Sequence, residues 1–235
     1  VKDPVTHRKF AIQDPSLLPK YAVLDPELTV ALPPSTTAAT GMDALTHAVE
    51  AYTNLFAPRY TRQLAKEAVA LIFRYLKRAY ADGKDLEARE QMLYASFLAG
   101  RAFSRACVGN VHAIAHTVGG LYGTPHGLAN AVILPFVLEA YGSRVKAKLA
   151  RLADLAGVDG SGCDEKARRF IEKIRSLNQE MGIEGPFDFI RDEDIPQMIR
   201  WAMKEANPLY PVPVIFDEPL MRQVIERVRT AGNSL

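Results

Sequence analysis

From Pro33 onward the chain carries one hydrophobic period, and that period is helical. Leu64, Ala68, Leu71, Ile72 and Tyr75 follow i, i+3, i+4 spacing, the stripe by which a helix buries one face. The pattern predicts helices over about 35–52, 60–80 and 86–105, then a short one and a Gly- and Pro-rich turn within 109–127. An apolar helix is expected from there to Tyr141, kinked or interrupted at Pro135, with further helices at about 143–156, 163–181, 192–206 and 217–230. Pro33-Pro34-Ser35 is a start signal with Ser35 as the expected cap, and Asp82-Gly83 is a stop. Before Pro33 the polar, proline-punctuated residues 1–19 read as loop. Lys20-Tyr21-Ala22-Val23-Leu24-Asp25 is a strand candidate closed by Pro26. The expectation is an all-α bundle with a short extended N-terminal segment.

Composition narrows the partners. A formal charge of +2 without a long basic block argues against nucleic acid or an anionic membrane as the main partner. Residues 128–141 form the longest apolar stretch, but Asn130, Pro135 and Glu139 interrupt it, and it is too short to span a bilayer. Cys107 and Cys163 lie far apart in no CxxC pattern, so a reducing, cytoplasmic setting is expected rather than a disulfide scaffold. No leader of charged, apolar and small residues opens the sequence.

Histidine placement carries the chemistry. Of five histidines, four lie in or beside two short motifs. In Gly41-Met42-Asp43-Ala44-Leu45-Thr46-His47, Asp43 and His47 stand one helical turn apart and share a face. The second motif is His112-Ala113-Ile114-Ala115-His116, again i, i+4, followed by a glycine-rich turn that can return His126 toward His112. One carboxylate with several imidazoles suits Fe(II), Zn(II) or a similar borderline cation better than Ca(II) or Mg(II). His126 opens an apolar helix, where the helix dipole favours the neutral imidazole that a metal needs. Each motif taken alone also fits a surface pair or hydrogen-bonded core histidines, and spacing does not choose between these readings. His7 reads as solvated, Cys107 as a small buried hydrophobe, and Tyr122 as core rather than pocket lining.

These motifs resemble the iron-containing (group III) alcohol dehydrogenases. The stretch from Asp25-Pro26-Glu27-Leu28-Thr29 through Thr40-Gly41-Met42-Asp43-Ala44-Leu45-Thr46-His47 to Tyr52 is similar to that family's first signature. His112 to His116, Thr124-Pro125-His126-Gly127 and Leu134-Pro135 are similar to its second, and Asn207-Pro208 to its C-terminal end. The resemblance implies the helical metal-binding domain of the dehydroquinate synthase-like fold over residues 31–235. It further implies Asp43, His47, His112 and His126 as metal ligands. His116 corresponds to a nearby histidine that does not usually ligate, a candidate for proton relay or substrate contact. Also implied are Fe(II), or Zn(II) or another divalent metal, an alcohol or aldehyde substrate, NAD or NADP, and a homodimer.

Nothing in the chain matches the family's Gly-Gly-Gly-Ser-type phosphate loop; Gly157-Val158-Asp159-Gly160-Ser161-Gly162 lacks a preceding strand and the fingerprint spacing. The expectation is therefore a fragment without the α/β nucleotide-binding domain, with residues 1–30 as the segment leading out of it. Activity is inferred for the parent, and the fragment alone is expected to be inactive. Glycerol dehydrogenase-like relatives and a non-catalytic helical metal-binding or assembly module are the alternatives. The Asp-Ala-Leu-Thr-His and Thr-Pro-His-Gly motifs favour the alcohol dehydrogenase branch.

Overall fold

The computed structural model describes residues 1–9, 12 and 14–230. Nine α-helices follow one another among these residues: α1 Pro34–Thr53, α2 Arg59–Ala81, α3 Leu86–Ala106, α4 Asn110–Leu121, α5 His126–Tyr141, α6 Lys146–Leu155, α7 Cys163–Glu180, α8 Ile195–Ala206 and α9 Glu218–Thr230. The described residues hold no sheet, only a single antiparallel bridge between Lys2 and Lys9. None of their helices is long and apolar enough to cross a membrane.

Two departures from the sequence pattern concern the entry. The strand expected at residues 20–25 does not form. Tyr21 and Val23 stand exposed, and no strand among the described residues offers them a ladder. The cap expected at Ser35 also fails: α1 begins one residue earlier, at Pro34, with Pro33 at the cap position and no side-chain cap bond. Pro34 occupies the first helical turn, where its fixed φ is already suitable and its missing N–H has no partner to lose.

Helices α1 and α5 form the centre. α1 packs against α2, α3 and α5, while α4 lies against α5 and α8, and α7 and α9 close over α5. α5 is apolar on every side, so it is buried rather than amphipathic, with Ala129 through Pro135 out of solvent. Proline in such a helix removes the N–H that would bond the carbonyl four residues back. Here α5 continues through Pro135 without interruption. The freed carbonyl of Ala131 accepts instead from Asn178 Nδ2 of α7 at 2.8 Å. One turn further along α5, Glu139 accepts from Arg175 of α7 and from the buried Arg227 of α9, each at 2.6 Å. The central helix is thus tied to its neighbours where it carries polar groups.

Asn54, just past α1, sets the turn that launches α4. Its buried Nδ2 donates to the carbonyls of Ala106, Cys107 and Val108 at 2.8, 3.1 and 2.9 Å. Cys107 takes a left-handed φ of 61° in that turn. It is half-buried rather than the core residue expected from sequence. Tyr122 is likewise half-buried: its hydroxyl donates to Asp194 at 2.5 Å and accepts from the Arg191 N–H at 3.1 Å, linking α4 to the approach of α8. His7 is exposed, as expected.

The Pro135–Asn178 relation is testable by a double-mutant cycle. Asn178→Ala orphans the Ala131 carbonyl and should cost about 1–3 kcal/mol in urea unfolding. Pro135→Ala restores the helical N–H, so the same change should cost clearly less in that background. Equal costs in both backgrounds would show that Asn178 acts otherwise.

Candidate metal centre

Three helices deliver the four residues singled out by the motifs. Asp43 and His47 come from successive turns of α1, His112 from the first turns of α4, and His126 from the start of α5. Their donor atoms all lie within 4.8 Å of one another. Asp43 Oδ1 is 3.7 Å from His112 Nε2 and 3.6 Å from His126 Nε2, and Asp43 Oδ2 is 4.0 Å from His47 Nδ1. Nitrogen and oxygen ligands held tetrahedrally at about 2.0–2.2 Å from a shared ion stand roughly 3.3–3.6 Å apart. The three separations lie at or a few tenths of an ångström above that range, so a small closure of the donor set would fit a divalent transition metal.

The remaining packing holds the rings in place. His47 is stacked between Phe103 and His112, with centroids 4.3 and 4.5 Å away. Close approach of α5 to α1 depends on Gly127: a Cβ there would lie 2.2 Å from the Ala39 carbonyl oxygen. Asn130, one turn beyond His126, donates from Nδ2 to Asp43 Oδ1 at 2.5 Å. The same nitrogen lies 3.1 Å from His112 Nε2 and 3.2 Å from His126 Nε2. Asp43 can only accept, so the amide nitrogen must face it; its second hydrogen is left for one of the two imidazole Nε2 atoms, and the nitrogen offers neither ring an acceptor.

Electrostatics agree. Burial holds His47 down to about 4 and His112 down to about 3, with neighbouring imidazoles reinforcing the shift and Asp43 opposing it. His126 is lowered too, again chiefly by burial. Burial would push the Asp43 carboxyl up, but the surrounding imidazoles and Asn130 outweigh it and hold it below the usual range. At neutral pH the cluster is one carboxylate and three neutral imidazoles, the protonation state a cation requires.

Two buried carboxylates stand behind α4, and sequence reasoning missed both. Glu50 Oε2 lies 2.6 Å from His112 Nδ1, and Glu205 Oε1 lies 2.6 Å from His116 Nδ1. Tyr210 donates to the same Glu205 oxygen at 2.8 Å. Glu50 had a signal, because Asp43, His47 and Glu50 stand at i, i+4 and i+7 on one face of α1. Asn130 had a weaker one as a lone amide in an apolar helix. Glu205, 89 residues from its partner, had none. His116 stays outside the four-residue donor group, its ring stacked on His126 at 5.2 Å. A cavity of about 580 Å³ opens over the cluster, lined by His47, His112, His116 and His126 with Phe103, Cys107, Val108 and Tyr210.

Fold and site together define a helical domain built around a candidate transition-metal centre. The family model of the Fe-containing alcohol dehydrogenases, C-terminal part, matches residues 37–228, and the chain belongs to that family. It is 44% identical over 218 residues to alcohol dehydrogenase 4 of Schizosaccharomyces pombe, covering 90% of this chain and 51% of the relative. It is 37% identical over 210 residues to the NAD-dependent methanol dehydrogenase of Bacillus methanolicus, covering 88% and 55%. Among solved structures, a 1,3-propanediol oxidoreductase superposes with a TM-score of 0.83 at 41% identity, covering 87% of this chain and 54% of the other. The chain thus spans about half the length of the relatives it matches.

Gly127→Ala should lower both the melting temperature and the affinity for Zn(II), because α5 must move off α1. Gly100→Ala, where a Cβ meets nothing within 4 Å, is the control, and should be neutral or stabilising by about 0.5–1 kcal/mol. Equal behaviour of the two variants would contradict the close-approach argument.

Proposed function

We propose that Asp43, His47, His112 and His126 hold one divalent cation, Fe(II) or alternatively Zn(II) or another divalent metal, and that this chain is the metal and substrate half of an NAD(P)-dependent alcohol dehydrogenase. The observation that carries the proposal is the convergence of one carboxylate and three imidazole nitrogens from three helices, His112 buried and the others half-buried. The Asn130 amide nitrogen sits against Asp43 Oδ1 and the Nε2 atoms of His112 and His126, the atoms a cation would use.

Bound there, the ion would act as a Lewis acid toward the oxygen of an alcohol or carbonyl substrate. The chain's own residues do the rest. Phe103 and Val108 give the cavity an apolar wall that keeps water from the reacting group. His116 faces this cavity with Nδ1 engaged by Glu205, which leaves Nε2 to take the alcohol proton and return it in the reverse direction. The hydride acceptor would be a nicotinamide held by a preceding α/β domain, with residues 1–30 as the segment joining it to this one. Ile12, Leu17 and Leu18 of this segment line the cavity. A reducing cytoplasm belongs to the same proposal and suits the free thiols of Cys107 and Cys163.

Adding Zn(II), or Fe(II) without oxygen, to metal-stripped chain should raise its melting temperature; a hundredfold excess over Kd corresponds to about 2.7 kcal/mol. His47→Ala should abolish the shift and His116→Ala should keep it. The chain alone should form no NAD(P)H from ethanol, butanol or 1,3-propanediol. Absence of a metal-dependent shift, or its loss in His116→Ala, would contradict the assignment.

A further inference from the structure

His112 and His116 stand one turn apart on the same helix, yet each is engaged by a carboxylate from a different helix. Glu50 is the more deeply placed, 1% exposed, and a buried carboxylate is costly unless its oxygens are bonded. They are. Oε1 accepts from the Val111 N–H at 2.8 Å, in the first turn of α4, where helix N–H groups lack internal partners. Burial pushes the Glu50 carboxyl up to about 7, the Val111 and Gly109 N–H groups pull against that shift, and a Cβ at Gly109 would come within 2.7 Å of Oε1. The start of α4 is a cradle for the Glu50 carboxylate. Oε2 is left for His112 Nδ1 at 2.6 Å.

We infer that Glu50 is a positioning residue: by accepting the Nδ1 proton of His112 it fixes the tautomer whose free Nε2 faces the centre, and so sets the site's affinity for metal. The inference rests on the metal-site reading above. Its second support is independent of Glu50: His112 Nε2 lies 3.1 Å from the Asn130 amide nitrogen, which can only donate, so a proton on Nε2 finds no acceptor there. A carboxylate behind a ligating imidazole orients the ring and raises its basicity, and its loss typically weakens metal binding about 10–100-fold.

Glu50→Gln separates this role from mere packing. Glutamine has the same shape, and its carbonyl can keep the Val111 bond. Its NH₂ then faces His112 Nδ1, and two N–H groups cannot share that contact, so the imidazole proton must move to Nε2. The test measures Zn(II) affinity by chelator competition, together with the ¹⁵N shifts of His112 in the metal-free chain. Wild type should show Nδ1 protonated and Nε2 free. Glu50→Gln should show the reverse and bind Zn(II) about 10–100-fold more weakly. Wild type binding Zn(II) with Glu50→Gln matching it within twofold would overturn the inference and leave the metal site standing. Failure of wild type to bind Zn(II) would overturn the metal-site reading and this one with it. Should Glu50→Gln not fold, the wild-type tautomer decides, since a proton on Nε2 contradicts the inference.

Discussion

A helical core excludes water, and this one buries Glu50 and His112 and holds Asp43, His47 and His126 half-buried at its edge. Buried carboxylates persist only if their oxygens find partners, and those partners here are arranged around α1. Asp43 is held by the Asn130 amide, and Glu50 by the opening turn of α4. Because those bonds come from α5 and α4, they also fix how the two helices sit on α1. The tight passage of Gly127 over Ala39 brings His126 to the cluster, and the Asn54 bonds bring the start of α4 over Glu50. The polar centre and the helix packing are therefore one constraint.

The same geometry gives two similar histidines different surroundings. His112 is almost fully buried, with its outer nitrogen on Glu50 and its inner one in the cluster. His116 borders the cavity and hangs on Glu205, whose oxygen also accepts from Tyr210. Spacing of i, i+4 places both on one face but does not say which shares an ion. The carboxylates behind them, and the Asn130 amide in front, make that division.

Much of the helical architecture was legible because it is local. The stripe in α2 and the Asp82-Gly83 stop between α2 and α3 place those helices to within a residue or two. Asp43 and His47 share a face by helical geometry, and the glycine turn does return His126 to His112, with ring centroids 5.2 Å apart. What was not legible depends on how helices dock. Asn178 matters because α7 happens to pass the carbonyl freed by Pro135, and Glu205 because α8 lies on α4. Residues 20–25 show the converse: apolar residues in a short run need a neighbouring strand to become one, and none is present among the described residues.

The central claim is that one ion is shared by a single carboxylate and three imidazoles. X-ray absorption on the Zn(II)-loaded chain tests it directly, since imidazole rings give a distinctive outer-shell signature. The account predicts only nitrogen and oxygen neighbours at about 2.0–2.2 Å, with three imidazoles. Two or fewer imidazoles, or a sulfur neighbour at about 2.3 Å from the nearby Cys107, would contradict it.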